Sequence, residues 1–269
     1  MCLVVFAVQQ HPDYPLIIAA NRDEFFDRPT EPAHYWPRNG DILAGKDNEA
    51  GGTWLGINRQ GYFSAVTNIR RFPQQQIGKL SRGKLIADYL ALQQDPQAFC
   101  QQLQQTASHY SPFNLFVGKL SRNTNQLYYF NNQQQQEQII DQGIHAISNG
   151  LLNEKWSKVS AIEQRFEKAL NQDLDSQTIG PHSLLSLLRS TEKLTDKALP
   201  NTGIEPQYEQ HLSSAFIDPL EINGRTYGTR SQTFISINND FECHYFEIQL
   251  NSEQQIISEM DFKLQLSVS

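Results

Sequence analysis

The stretch Cys2-Leu3-Val4-Val5-Phe6-Ala7-Val8, its partner Leu16-Ile17-Ile18-Ala19-Ala20 and the polar run Asn21-Arg22-Asp23-Glu24 decide the fold. Apolar runs of this kind, rich in Val, Ile and Phe and separated by turn residues, read as strands. Between them His11-Pro12-Asp13-Tyr14-Pro15 forms a hairpin loop, and a turn about Pro12 sets Cys2 opposite Arg22, with Asp23 beside the chain terminus. Removal of Met1 would leave Cys2 with a free α-amine, so one residue would carry both a thiol nucleophile and a base titrating near pH ~8. A neighbouring arginine lowers a cysteine's pKa, and a carboxylate binds and orients an α-ammonium. Arg22 and Asp23 suit those roles. They are adjacent, however, and adjacent strand residues point to opposite faces unless the strand breaks or bulges. Otherwise Asn21 or Glu24 takes one role. The bland alternative is a small buried Cys2 beside a surface ion pair.

Outward from this hairpin, Trp54–Asn58 and Tyr62–Asn68 flank Arg59-Gln60-Gly61 as a second hairpin. That pairing brings Asn68 opposite Gly51-Gly52, where backbone can approach a ligand closely. Helical patterns follow over Arg82–Leu92 and Pro96–Thr106, the latter with Asp95 as N-cap and Pro96 in the first turn. Strands resume at Asn114–Leu120, Gln126–Phe130 and Ile144–Ser148, then helices at Glu154–Leu170 and His182–Leu188. Tyr227–Asn238 and Glu242–Leu250 close the chain as a final hairpin. Runs of strands segregated from pairs of helices predict an α+β protein, two stacked antiparallel sheets between helical layers, αββα. No linker, repeat or composition break divides it, so residues 1–269 are expected to form a single domain.

The formal net charge of −7 and the absence of a Lys/Arg run argue against a nucleic-acid partner. Three cysteines (Cys2, Cys100, Cys243) at no metal-type spacing fit a reducing compartment, and the seven histidines are scattered. The apolar run at the N-terminus is too short for a signal core, and nothing approaches the ~20 apolar residues of a membrane span. The chain is expected to be cytoplasmic, with no metal, no cofactor and no integral membrane contact. Gly51-Gly52-Thr53-Trp54-Leu55-Gly56 lacks the ending of a phosphate loop, which leaves Trp54 as core or pocket wall. Arg230 sits within an apolar strand, where it either points outward to solvent or, pointing inward, would clamp an anion or carbonyl. Arg70-Arg71 is a two-residue basic spot, able to hold a phosphate or simply solvated.

The segment Asn21-Arg22-Asp23-Glu24 after Met1-Cys2 resembles the signature of the NRDE family, also called the transport and Golgi organisation 2 family. Further matches are Gly51-Gly52-Thr53-Trp54-Leu55-Gly56, Thr67-Asn68, Ser148-Asn149-Gly150 and Gly228-Thr229-Arg230-Ser231. That family in turn resembles the N-terminal nucleophile hydrolases of αββα architecture, in the cysteine branch that includes bile salt hydrolase and penicillin V acylase. The resemblance implies Cys2 as nucleophile, Arg22 as its partner and Asp23 at the α-amine. It also implies Asn68 as an oxyanion-hole residue, Asn149 as a second active-site asparagine and Arg230 as the late arginine. Asn21, Glu24, Gly52, Trp54 and Thr229 would line the substrate. The expected activity is hydrolysis of an amide or thioester bond in a small acyl-type substrate. The rival expectation is a non-catalytic carrier of acyl-CoA, lipid or haem on the same fold.

Overall fold

The computed structural model describes residues 2–37, 39–73, 78–122, 125–152, 154, 156–173, 180–195 and 198–268. In chain order it runs β1 (Cys2–Val8), β2 (Leu16–Phe25), β3 (Thr30–Trp36), β4 (Asn39–Asp47), β5 (Leu55–Asn58), β6 (Tyr62–Asn68), α1 (Arg82–Leu92) and α2 (Pro96–Gln104). There follow β7 (Phe113–Lys119), β8 (Gln126–Asn131), β9 (Glu137–Ile139), β10 (Gly143–Ile147), α3 (Ser157–Asp173), α4 (Pro181–Ser186) and α5 (Pro206–His211). The last elements are β11 (Leu220–Ile222), β12 (Arg225–Ile237), β13 (Glu242–Leu250) and β14 (Ile256–Gln265). The protein is α+β, with two antiparallel sheets and their helices distributed over two compact units.

The first unit comprises Met1–Asp27, Arg70–Pro73 and Gln142–Lys263. Its sheet has the order β10-β1-β2-β12-β13-β14, with β11 paired to β12. Strict alternation divides β1 and β2. Leu3, Val5, Ala7, Ile17 and Ala19 point to one face, where Val159, Ile162, Phe166 and Leu170 of α3 and Leu184 and Leu185 of α4 cover them. The spacing of the α3 residues gives one apolar stripe along the helix. Cys2, Val4, Phe6, Ile18, Ala20 and Arg22 therefore occupy the opposite face.

The second unit comprises Arg28–Ile69, Gln74–Asp141 and Leu264–Ser269, with its sheet in simple chain order, β3 through β9. Leu85, Ile86, Tyr89 and Leu90 of α1 and Phe99, Cys100 and Leu103 of α2 pack on it. The expected N-cap holds: the Asp95 carboxylate accepts from the Ala98 N–H at 2.9 Å, with Pro96 in the first turn. The ladder Leu55↔Ala65, Gly56↔Ser64, Ile57↔Phe63, continued beyond its end, sets Asn68 level with Gly52, as the hairpin reading expects.

Three expectations are corrected. The second strand does not stop at Ala20 but runs to Phe25, so Asn21–Glu24 lie inside a strand and Asn21, Arg22 and Asp23 are buried. The chain does not close at Leu250; β14 follows as an edge strand. Strands β3, β4, β9 and β11 and helix α5 are further additions. The long helix starts at Ser157 rather than Glu154.

Gly52 tests the packing of the second unit. A Cβ there would lie 2.3 Å from the Gly83 backbone carbon, and backbone cannot rotate away as a side chain can. Gly52→Ala is expected to lower stability by about 1–3 kcal/mol, seen as a lower urea midpoint with an unchanged slope.

Candidate active site

The β1–β2 ladder pairs Cys2 directly with Arg22. On the other flank Val4 faces Ile147, and the same count continued two residues sets Asn149 level with Cys2. Across the next ladder Arg22 faces Ser231, which faces Gln249. One row of this face thus reads Cys2, Arg22, Ser231, Gln249. Arg22 is 5% exposed and Cys2 half-buried.

Asp23 does not share that face. Its carboxylate accepts the Thr229 hydroxyl at 2.6 Å, and the Tyr227 hydroxyl donates to its carbonyl at 3.1 Å. The break that the adjacency of Arg22 and Asp23 calls for lies on the partner strand: the β2–β12 register shifts between Thr229 and Ser231, leaving Arg230 as the extra residue of a β-bulge. Asp23 reaches Cys2 through its backbone, whose N–H is hydrogen-bonded to the sulfur. Arg230, released from the ladder, donates from Nη1 to the Phe25 carbonyl at 2.9 Å.

Asn21 and Glu24 are committed locally. The Asn21 amide donates to the Leu188 and Ala215 carbonyls at 2.9 and 2.8 Å, and its oxygen accepts from Gln232. That saturates its nitrogen and makes it a structural clamp. A Glu24 carboxylate oxygen accepts the Phe25 N–H. Asn149 is 1% exposed; its side-chain oxygen accepts from Ser148 and its carbonyl from the Arg70 N–H. Asn68, the last residue of β6, pairs with Phe113 in the second unit. Trp54 of the same unit is buried with its ring against Gly45, where a Cβ would lie 2.3 Å from it, so it is core there.

Sequence reasoning did not find Lys158, in the first turn of α3. It is 8% exposed and donates from Nζ to the Leu212 and Ser214 carbonyls at 2.8 and 3.3 Å. The same loop serves Asp23 from another side: the Ile217 N–H donates to Thr229 Oγ1, which donates to Asp23. Glu209, in the helix leading into this loop, pairs with Arg70 at 2.7 Å and accepts from the Thr202 hydroxyl and N–H. Among the described residues the first unit therefore buries three cations, Arg22, Arg70 and Lys158, with three carboxylates, Asp23, Glu209 and Glu247.

Burial dominates the electrostatics. It pushes the Cys2 thiol up, and the Asp23 charge adds to that, while Arg22 and the Asp23 N–H pull it down less strongly. The Asp23 carboxyl is likewise raised by burial, opposed by the Thr229 hydroxyl and by Lys158. Burial and then Arg70 push Lys158 down to about 8, against the pull of Asp23 and Glu209. Cys100 and Cys243 are buried structural thiols, both raised by burial. Among the described residues no cluster of three His, Cys, Asp or Glu could hold a metal, and no helix is long and apolar enough to cross a membrane.

The family model described as Transport and Golgi organisation 2 matches residues 1–252. A Transport and Golgi organization protein 2 homolog from Homo sapiens is 32% identical over 259 residues, covering 92% of each chain. The Mus musculus homolog is 31% identical over 249 residues, covering 88% of this chain and 89% of its own. Among solved structures, a variant of conjugated bile acid hydrolase from Clostridium perfringens aligns over 100% of this chain and 98% of its own, with a TM-score of 0.49 and 8% identity.

Lys158 gives a signed pH test. A native lysine at about 8 releases its proton while the unfolded one, at 10.5, still holds it, so the unfolded state binds more protons between these values. Stability is therefore expected to rise with pH through that window. The difference between the native protein and Lys158→Met, from urea melts at stepped pH, should grow in favour of the native protein from pH ~8 to ~10.5. A flat difference would place the Lys158 ammonium in contact with water.

Proposed function

The chain belongs to the Transport and Golgi organisation 2 family, and on that premise we propose that it is an N-terminal cysteine hydrolase acting on an amide or thioester bond of a small acyl substrate. The observation that carries this reading is the cross-strand pair Cys2↔Arg22 with the Asp23 N–H on the sulfur. Removal of Met1 would expose the α-amine beside the nucleophile. Because burial raises the thiol, Arg22 alone does not supply a thiolate at neutral pH, and the amine is the base that the step needs.

In this scheme the α-amine takes the Cys2 proton as sulfur attacks the carbonyl carbon, and the carbonyl electrons move onto oxygen. In this scheme Asn149, level with Cys2 on the β10 side, donates to that oxyanion from its amide nitrogen. The tetrahedral species collapses, the ammonium returns its proton to the leaving amine or thiolate, and an acyl thioester remains on Cys2. Water attacks it with the amine again as base, releasing the acid and the free thiol. Asp23, buried and held by Thr229, is the counter-charge for the ammonium stages.

A second reading, a non-catalytic holder of acyl-CoA, lipid or haem, is favoured by one observation, the upward shift of the Cys2 thiol. One experiment separates the two. The intact mass of untagged protein is measured before and after exposure to a panel of acyl p-nitroanilides and acyl thioesters, with adducts mapped to peptides. The hydrolase reading expects loss of Met1, an acyl adduct on Cys2 alone, and turnover abolished in Cys2→Ala. Asn149→Ala should lower kcat by about 10²–10³, the cost of one oxyanion donor. Retained Met1 with no adduct sinks it in favour of the holder.

A further inference from the structure

A cavity of about 670 Å³ opens in the first unit, lined by Arg70, Arg71, Phe72, Glu154, Trp156 and the stretch 198–203 among others. That volume is in the usual range for small-molecule sites. Its walls are tied together. The Arg70 N–H donates to the Asn149 carbonyl, and the Phe72 N–H donates to the Thr202 carbonyl at 2.6 Å. Gly203 has φ +83°, and a Cβ there would meet the Phe72 oxygen at 2.2 Å, so this close approach requires glycine. Gly150 leaves the space that Glu154 and Trp156 fill, since its Cβ would lie 2.6 Å from Glu154 Oε2.

In sequence, Arg70-Arg71 reads as a basic spot, able to hold a phosphate or simply solvated. In the structure each arginine has its own carboxylate. Arg70 lies over the Trp156 ring at 5.2 Å and is neutralised by Glu209 from behind. Arg71 pairs with Glu154 at 2.5 Å, and this pair faces water, with side chains 55% and 37% exposed. The second Glu154 oxygen is anchored by the Leu151 N–H at 2.7 Å, so the acid is aimed. A balanced pair offers little net attraction to a bare anion or a bare cation. It suits a group that carries both charges as close together as the pair itself. Such a group can slide in, carboxylate on Arg71 and ammonium on Glu154, so that opposite charges alternate around a square. An exposed pair contributes little on its own, so opening it costs little.

We propose that this cavity binds an α-amino acid through its zwitterionic head, with Arg71 and Glu154 as the head-group ligands and Phe72, Leu199 and Pro200 as the wall for an apolar side chain. The adjacency of Arg71 and Glu154 excludes peptides, whose terminal charges lie further apart. The proposal does not depend on Cys2 chemistry, because binding is read without turnover.

Calorimetric titration of the full chain with L-phenylalanine, 3-phenylpropionate and phenethylamine tests it; none of the three contains a bond for the proposed hydrolase to cut. L-phenylalanine is expected to bind at least about tenfold more tightly than either analogue, the loss of one charge-assisted contact. Arg71→Gln and Glu154→Gln should each weaken L-phenylalanine by a similar factor at unchanged melting temperature. The double swap Arg71→Glu with Glu154→Arg should restore binding, which a merely structural pair would not do. Equal binding of 3-phenylpropionate would make this an anion site, and equal binding of phenethylamine a cation site; either overturns the proposal. So does the absence of heat from L-phenylalanine up to its solubility, or a folded double swap no better than the single variants.

Discussion

Running a strand of four consecutive polar residues through the middle of a sheet leaves donors, acceptors and charges away from water, each of which must find a partner. Strand β2 does this at Asn21–Glu24, and much of the first unit answers the demand. Asn21 takes the carbonyls of Leu188 and Ala215, and Asp23 takes Thr229 across the ladder. The loop supplying the Ala215 carbonyl also takes Lys158 at Leu212 and Ser214 and steadies Thr229 through Ile217. The clamp, the loop and the buried lysine belong to one network, so a change at any of them is felt at Asp23.

The bulge at Arg230 resolves a geometric conflict within that network. With β2 regular, Arg22 and Asp23 face opposite sides of the sheet, and Arg22 joins Cys2 while Asp23 joins Thr229. The irregular residue is carried by β12 instead, which lets Thr229 meet Asp23 and Ser231 meet Arg22 while Arg230 turns to the Phe25 carbonyl. Placing the defect in the partner keeps the hairpin of Cys2 and Arg22 in strict register.

Charge balance is the second theme of the unit. Its buried cations and carboxylates come in equal number, and the exposed Arg71–Glu154 pair at the cavity repeats the pattern. Burying single charges is prohibitive, whereas matched sets are tolerated when hydrogen bonds complete them. This is why a basic dipeptide in the sequence became two neutral pairs in the structure.

How much of this was legible in the sequence varies with the physical origin of each element. The first hairpin and its register, Cys2 against Arg22, followed from two apolar runs and one proline-rich turn, because side-chain period and turn position leave a buried hairpin few alternatives. Helices α1 and α2 followed from periodicity and the Asp95-Pro96 cap. Strands β3, β9 and β14 escaped notice because they lie at sheet edges, where one side is unpaired and Pro32 or exposed charges are tolerated. The extension of β2 through Asn21–Glu24 was illegible for a different reason: four polar residues mark a strand end unless distant segments arrive to satisfy them. Lys158 likewise looks like any surface lysine until the carbonyls of Leu212 and Ser214 close over it. Local pattern determined the first hairpin and the pairing of Cys2 with Arg22; tertiary structure alone decided which polar residues are buried, since that depends on partners between 54 and 206 positions away.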